Sequence, residues 1–260
     1  MPTISDDAVC IRRWDFSETS QTVGLFTRGH GVIRGLAKGA KREKGSFSGG
    51  FDVLTCGHLV AIVKPGRDLA TLTAWDLQDT MRHLRANLAA NRTAMYMADL
   101  VHHMVTDHDP HERLYDAFIE ALGALRDPPR IDAALLFFQW RLLEEAGYEP
   151  VLDRDAQTGR PLPEGEHATL AFSPASGGVV IDSGAGDRWR VRAETIRLLR
   201  AVAADGELES GGPADSESIE RANRLLASYL RELIGDEPAT FRWRFDDLAN
   251  TKKGVGSRFS

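Results

Sequence analysis

Cysteine and long apolar runs are both scarce in this sequence, and each shortage excludes a class of protein. The 260 residues include only two cysteines, Cys10 and Cys56, which are too few for a four-thiolate zinc site or a disulfide framework and fit a reducing compartment. No run approaches the roughly 18 apolar residues that a membrane span needs, and residues 1–10 lack the basic and apolar regions of a secretion signal. We therefore expect a cytoplasmic protein without a membrane segment.

The short motifs that mark common enzyme classes are also missing. The chain contains no P-loop, no HExxH pair and no G-x-S-x-G turn, and the GAGD at 184–187 is only part of a dinucleotide-binding fingerprint. Nothing in the sequence therefore requires catalysis, and we expect no enzyme activity and no cofactor.

Charge is distributed unevenly along the chain. The net charge of −6, taken whole, argues against a nucleic-acid partner. Residues 8–50, however, contain eight basic and three acidic side chains, a balance of +5, whereas residues 76–260 contain 22 basic and 31 acidic side chains, a balance of −9. Because charges act locally, the asymmetry predicts two modules with different partners.

The hydrophobic pattern changes near residue 76. Residues 8–75 contain five short runs of β-branched and apolar residues separated by polar or glycine-rich breaks, which predicts a small barrel or sandwich. From Leu77 onward, apolar residues recur at helical spacing. Within this α+β chain we predict domains at 1–76 and 77–260, the second with an irregular subdomain at about 148–190 and a disordered acidic linker at about 204–216.

The basic residues concentrate in the glycine-rich segment RGHGVIRGLAKGAKREK at 28–44. Alternate residues of a strand share a face, and a glycine-flanked loop can follow a phosphate backbone closely, so this segment is suited to neutralising phosphates. The residues that we predict to bind DNA are Arg28, Arg34, Lys38, Lys41, Arg42 and Lys44. Aromatic residues that could stack on bases are Trp14, Phe16, Phe26 and Phe47. The alternative is a solvated basic loop that serves solubility, and for Phe26 and Phe51 a place in the core is favoured.

A second polar cluster, DLVHHMVTDHDPHE, occupies residues 99–112. On a continuous helix Asp99, His103 and Asp107 would share one solvent-facing stripe that could present ligands to a divalent metal. This pattern keeps open the hypothesis of a metal-dependent phosphoesterase. An ordinary solvated helix face followed by a turn is the favoured interpretation.

The segment ETSQTVGLFTRGHGVIRGLAKGAKREKGSFSGGFDVL at 18–54 resembles the N-terminal domain of the bacterial RecO family of recombination mediators. The matching elements are 18–20, 25–27, 29–31 and 37–41, and the likeness continues through the helical region to about residue 235. It implies a five-stranded oligonucleotide-binding barrel followed by a mainly helical domain. It also implies a nucleoid-associated protein that binds single- and double-stranded DNA and anneals complementary strands.

The same resemblance implies partners and contact residues. The implied partners are RecR and the acidic C-terminal tail of the single-stranded DNA-binding protein, with RecA loaded indirectly. The matching basic positions are Arg34, Lys38, Lys41 and Arg42, with Lys44 in the adjoining loop. A rival hypothesis is that the acidic helical domain mainly docks RecR or another protein.

The chain departs from this family at one place. Many members carry a four-cysteine zinc site in the irregular region, where this sequence has Asp155, Thr158, Ile181 and Gly184. Isoleucine and glycine have no side-chain ligand, and a structural zinc site needs four donors. We therefore expect a zinc-ribbon-like insert that lacks zinc ligands and is held by packing of Leu170, Phe172, Val179 and Val180.

Overall fold

The protein is described by a computed structural model over residues 2–42, 46–47, 51–64, 66–163, 170–205 and 215–246. It forms two compact units, Met1–Arg126 and Asp127–Ser260. Lys44, most of the linker predicted at 204–216 and the C-terminal residues 247–260 lie outside the described residues. Within the described part of the chain, no helix is long and apolar enough to cross a membrane.

Five strands of the first unit close into a barrel, which confirms the predicted β-barrel. The strands are β1 (Thr3–Asp15), β2 (Gln21–Thr27), β3 (Gly31–Ala37), β4 (Cys56–Ile62) and β5 (Ala70–Asp79). Their hydrogen-bonded order is β1-β2-β3-β5-β4, and β4 closes the barrel by pairing with β1. A closed five-stranded barrel is the architecture of the oligonucleotide-binding fold, which presents strand faces and loops to nucleic acids.

The barrel core follows from the two-residue period of the strands. Alternate side chains point inward, and the buried inward set includes Cys10, Val23, Leu25, Ile33, Leu59, Ala61, Leu72 and Trp75. The ring of Phe51 lies 5.0 Å from that of Trp75, so Phe51 is a core residue, as expected. Each fully buried aliphatic or aromatic side chain of this kind stabilises the fold by about 1.5–3 kcal/mol.

The helices of the first unit begin later than the hydrophobic spacing predicted. Leu77 belongs to β5, because it pairs with Gly57 of β4, and the helices are α1 (Arg82–Ala86), α2 (Leu88–Met104) and α3 (Glu112–Ala124). The Asn87 side chain caps α2 by accepting hydrogen bonds from the backbone N–H groups of Ala89 and Ala90. The barrel and these helices share one compact unit. The predicted domain division at residue 76 stays a prediction.

The second unit combines helices with a small sheet. Its elements are α4 (Ile131–Glu145), β6 (Leu170–Ser173), β7 (Gly178–Ile181), β8 (Trp189–Val191), α5 (Ala193–Asp205), α6 (Ser216–Ile234) and α7 (Phe241–Arg244). Asp215 caps α6 by accepting from the backbone of Ser218, and Gly235 ends it with a left-handed φ of 75°. The Phe172 ring lies 5.1 Å from that of Tyr229, so the sheet packs against α6.

The region predicted to be irregular, 148–190, contains an antiparallel sheet of order β7-β6-β8. The hydrophobic pattern did not indicate these strands, because strands of three or four residues are too short to display a clear alternation. The four residues expected to hold this region by packing, Leu170, Phe172, Val179 and Val180, are all buried.

Asp155, one of the four residues expected to replace zinc ligands, is a buried carboxylate. Asp155 is only 4% exposed, and one of its oxygens accepts hydrogen bonds from the backbone N–H groups of Gln157 and Thr158 and from the Thr158 hydroxyl, at 2.7–3.0 Å. Its other oxygen accepts from the backbone N–H of Ile181 at 2.9 Å. Burial alone would raise the pKa of Asp155, but the hydrogen bonds from Ile181 and Thr158 outweigh burial and lower it. Asp155 thus joins the 155–158 turn to β7.

Candidate nucleic-acid interface

Three neighbouring strands present one outer face of the barrel. Arg12, Gly24 and Arg34 stand opposite one another across β1, β2 and β3, and Trp14, Thr22 and Leu36 form the next row on the same face. We call these six residues the strand face. Gly24 has no side chain, so the centre of the strand face is flat. A Cβ added at Gly24 would lie 3.3 Å from the Cβ of Arg12.

The loop that follows β3 is tied to the turn between β1 and β2. Residues 38–42 are called the basic loop here. The backbone N–H of Gly39 donates to the Ser20 hydroxyl at 3.3 Å, and that of Lys41 donates to the Thr19 carbonyl at 3.1 Å. Gly39 has a φ of 74°, a left-handed conformation that glycine adopts without strain. The fold therefore holds the basic loop beside the β1–β2 turn.

Two of the predicted DNA-binding residues are exposed and have no carboxylate partner among the described residues. Lys38 and Arg42 are both exposed, and among the described residues neither has a carboxylate within ion-pair distance. The Arg42 side chain lies over Gly39, whose added Cβ would be 3.4 Å from the Arg42 Cδ. Both charges are consequently available to an anionic ligand.

Two further predicted residues are exposed but already paired. Lys41 Nζ lies 2.9 Å from Asp15 Oδ1, and Arg34 Nε lies 3.0 Å from Asp107 Oδ2. The hydrogen bond from Lys41 is the main cause that lowers the pKa of Asp15. Ion pairs this open to water contribute only about 0–1 kcal/mol, so a phosphate can compete with the carboxylate for either cation.

Arg28 is held more firmly than the other predicted residues. Its Nε and Nη2 donate to the two carboxylate oxygens of Asp116, each at 2.9 Å, and its Nη1 lies 3.6 Å from Glu112. The hydrogen bond from Arg28 lowers the pKa of Asp116. Such a two-pronged contact is geometrically specific. It joins the β2–β3 turn to α3 and leaves this group of three side chains with a net negative charge.

The four aromatic residues considered for stacking fall into two classes. Trp14 is 45% exposed and Phe16 is 62% exposed. Phe26 is buried against the α3 rings of Tyr115 and Phe118, and Phe47 packs on Phe51 at 5.7 Å. Trp14 and Phe16 are therefore the most exposed members of this set.

The proposed metal-binding stripe does not form. Asp99 is buried on α2 and makes an ion pair with Arg12, so the expectation that it faces solvent was wrong. The helix ends at Met104, and Asp107 binds Arg34 from the segment beyond it. The i, i+4, i+8 spacing fails because the helix is too short to include its third member. Across the described ranges, no group of three or more His, Cys, Asp or Glu residues could hold a metal ion.

The Arg12–Asp99 pair is the contact that sequence reasoning missed. The two residues are 87 positions apart, so no local pattern could have indicated their meeting. His102 lies beside this pair, and burial together with the nearby charge of Arg12 lowers the pKa of His102 to about 4. The imidazole is consequently neutral at pH 7 and adds no charge to the strand face.

Comparison with known proteins gives matches to both parts of the chain. Residues 1–81 match the family model described as recombination protein O N terminal, and residues 85–240 match the one described as recombination protein O C terminal. The chain is 33% identical over 204 residues to the DNA repair protein RecO of Rhodopirellula baltica, which covers 77% of this chain and 75% of the relative. It is 31% identical over 247 residues to the DNA repair protein RecO of Anaeromyxobacter dehalogenans, with 94% and 96% covered.

Proposed function

The chain belongs to the RecO family of recombination mediators in DNA repair, and on that premise we propose that it acts without catalysis, by holding DNA strands on the basic side of its barrel. The observation that carries the proposal is the pair of exposed cations, Lys38 and Arg42, which have no carboxylate partner among the described residues and lie on a loop fixed beside the β1–β2 turn. Their positive charge stands out in a chain whose net charge is −6.

Phosphates supply the binding energy in this proposal. Lys38 and Arg42 make the first contacts, and Arg34 and Lys41 join them when a phosphate replaces their carboxylate partners. Arg28 keeps its contact with α3 and serves the fold instead. Phosphate contacts position a strand without reading its sequence, so the bases stay available. A complementary strand can then pair with these bases, and this is the annealing step of the proposal.

The partners that the family resemblance implies complete the proposal. We propose that the chain works with RecR and with the acidic tail of the single-stranded DNA-binding protein to assist RecA loading, in the cytoplasm at the nucleoid. Double-stranded DNA uses the same phosphate contacts, because these depend on charge and not on unpaired bases.

A salt titration of DNA binding by the full chain tests the proposal. For single strands the slope of log K against log salt is about 0.7 per phosphate contact. The double variant Lys38→Glu, Arg42→Glu should therefore reduce the slope by about 1.4 or more, and annealing should slow with it. The matched control is Lys64→Glu, Arg67→Glu, which changes the net charge equally in the segment between β4 and β5.

Two outcomes would contradict the proposal. If the Lys38, Arg42 variant keeps the wild-type slope, or if the control variant loses as much, the basic loop is not the DNA surface. If the wild-type chain binds neither single nor double strands at low salt, the rival hypothesis of a protein-docking module takes precedence. A pull-down of RecR without DNA then tests that hypothesis.

A further inference from the structure

Two aromatic side chains are exposed at the end of β1. Trp14 and Phe16 are two residues apart, a spacing of about 6.8 Å along extended chain, and Phe16 directly follows the last residue of β1. Ordinary core aromatics of this barrel, such as Phe51 and Trp75, are at most 3% exposed. Exposing two large apolar rings this close in the chain forgoes the stabilisation that their burial would give, unless a ligand covers them.

The backbone holds both aromatic residues in place. Trp14 is paired with Thr22 inside the β1–β2 ladder. The backbone N–H of Phe16 donates to the Ser20 carbonyl at 3.1 Å, and the Ser17 hydroxyl accepts from the Ser20 N–H at 3.2 Å. Phe16 thus extends from a hydrogen-bonded turn. Such a rigid support lowers the entropy that binding would cost.

Positive charge lies on the same side of the barrel as the two rings. Trp14 pairs through Thr22 with Leu36, so two strand spacings, about 10 Å, separate the backbones of β1 and β3 at this row. Lys38 is two residues beyond Leu36, in the turn that directly follows β3. The basic loop is further tied to the turn that carries Phe16 by the Lys41 to Thr19 hydrogen bond.

We propose that Trp14 and Phe16 form a stacking site for the bases of single-stranded DNA, beside the phosphate contacts of Lys38 and Arg42. This inference rests on the proposed function and adds the class of strand that the site prefers. Every base has a π-face, so stacking on aromatic rings is independent of sequence. In a duplex the bases are already stacked and paired, so the two rings gain nothing there. The site therefore makes the barrel favour single strands over duplexes.

The test compares oligonucleotides with and without bases. The probes are an oligothymidylate, an abasic strand of equal length with the same phosphates, and a duplex. The full chain is compared with the variant Trp14→Ala, Phe16→Ala. We expect oligothymidylate binding to weaken about 30-fold, which corresponds to two stacking contacts at the weak end of their usual range. Binding of the abasic strand and of the duplex, and the salt slope, should stay unchanged.

Two further variants separate stacking from a structural role. The variant Trp14→Phe, Phe16→Tyr keeps two rings and should restore wild-type affinity for oligothymidylate. The control Trp243→Ala removes a ring of similar exposure, 50%, from α7 in the second unit and should change nothing. The binding-induced quenching of tryptophan fluorescence should disappear in Trp14→Phe, Phe16→Tyr and persist in Trp243→Ala.

The proposal is overturned if Trp14→Ala, Phe16→Ala binds oligothymidylate like the wild type, or if the abasic strand loses affinity equally. It is also overturned if the double alanine variant dissociates an oligomer, because the rings would then cover a second copy of the chain. These outcomes leave phosphate binding by Lys38 and Arg42 intact. A wild-type chain that binds no DNA at all contradicts the proposed function itself.

Discussion

Replacing Asp155 by Asn removes a buried carboxylate while nearly preserving its shape. In the native chain both oxygens of Asp155 accept hydrogen bonds, one from the 157–158 backbone and the other from Ile181. An asparagine has one oxygen and one NH₂ group, so it can serve only one of these two sets. Whichever way the amide turns, an NH₂ group faces a backbone N–H donor. The link between the 155–158 turn and β7 is consequently broken on one side.

The expected loss is about 3 kcal/mol in the free energy of unfolding of the second unit. A hydrogen bond to a charged group contributes about 1.5–3 kcal/mol, and a buried donor without a partner costs about 1–3 kcal/mol. Partial exposure of the Ile181 N–H after local rearrangement reduces the sum, which is why the estimate stays at the lower end. A loss of this size is a large fraction of the roughly 5–15 kcal/mol that stabilises a folded domain.

The stabilisation from Asp155 depends on pH in a defined direction. Its pKa is lowered in the folded chain, so the ionised form is favoured by folding. The contribution is therefore fully present above the unfolded pKa of about 3.9 and is lost as the pH falls through the lower folded pKa. The difference in stability between wild type and Asp155→Asn should be constant from about pH 5 to 8 and should shrink below about pH 4.

Urea unfolding and amide hydrogen exchange measure this effect. Because the chain has two compact units, its unfolding need not be two-state, and exchange at Ile181 and Thr158 reports the local loss directly. Asp153→Asn is the matched control, since it makes the same chemical change at an exposed residue nearby. The reasoning is refuted if Asp155→Asn stays within about 0.5 kcal/mol of the wild type at pH 7, or if the difference persists undiminished at acid pH.

Two other substitutions test the fold around the strand face. Asp99→Ala leaves Arg12 without its buried partner and should destabilise the first unit by about 3 kcal/mol in a urea titration, the low end for a broken buried pair. The exposed Asp68→Ala should have almost no effect, and an equal loss there would contradict the assignment. Gly31→Ala forces a Cβ to 2.2 Å from the Asp109 carbonyl oxygen at a φ of 66°, so it should lower the melting temperature markedly. Gly123→Ala, on α3 with open space around it, should instead be neutral or stabilising by up to about 1 kcal/mol, and similar behaviour of the two variants would refute the packing argument.

The hydrogen bonds to the two carboxylate oxygens of Asp155 also show how the expected zinc-free insert is held together. Zinc joins two turns by attracting four donors to one centre. Asp155 joins the 155–158 turn and β7 by accepting hydrogen bonds from Thr158 and Ile181, which are also among the residues expected to replace zinc ligands. A single carboxylate with two acceptor oxygens can thus link two segments of this region without a metal, through hydrogen bonds whose strength depends on its ionisation.

The sequence by itself determined the five strands, the helical remainder and the family. A strand is recognised from its own two-residue alternation, and a helix from its own three- and four-residue spacing, so these patterns need no knowledge of distant residues. The glycine-rich basic segment was likewise visible, because its charge is concentrated in a short stretch of chain. The short strands of the second unit escaped this reasoning because three or four residues carry too little periodicity.

Only the tertiary structure decided which charges are free. The sequence presented Arg28, Arg34, Lys38, Lys41 and Arg42 as equals. Folding pairs Arg28 with a carboxylate 88 residues away, whereas Lys38 and Arg42 have no carboxylate partner within the part of the chain that the structure describes. Folding also buries Asp99 of α2 against Arg12 of β1, and it exposes Trp14, which lies on β1 as well. The physical reason is that a side chain's charge is a local property, but its partner and its exposure depend on which distant segments the fold brings beside it.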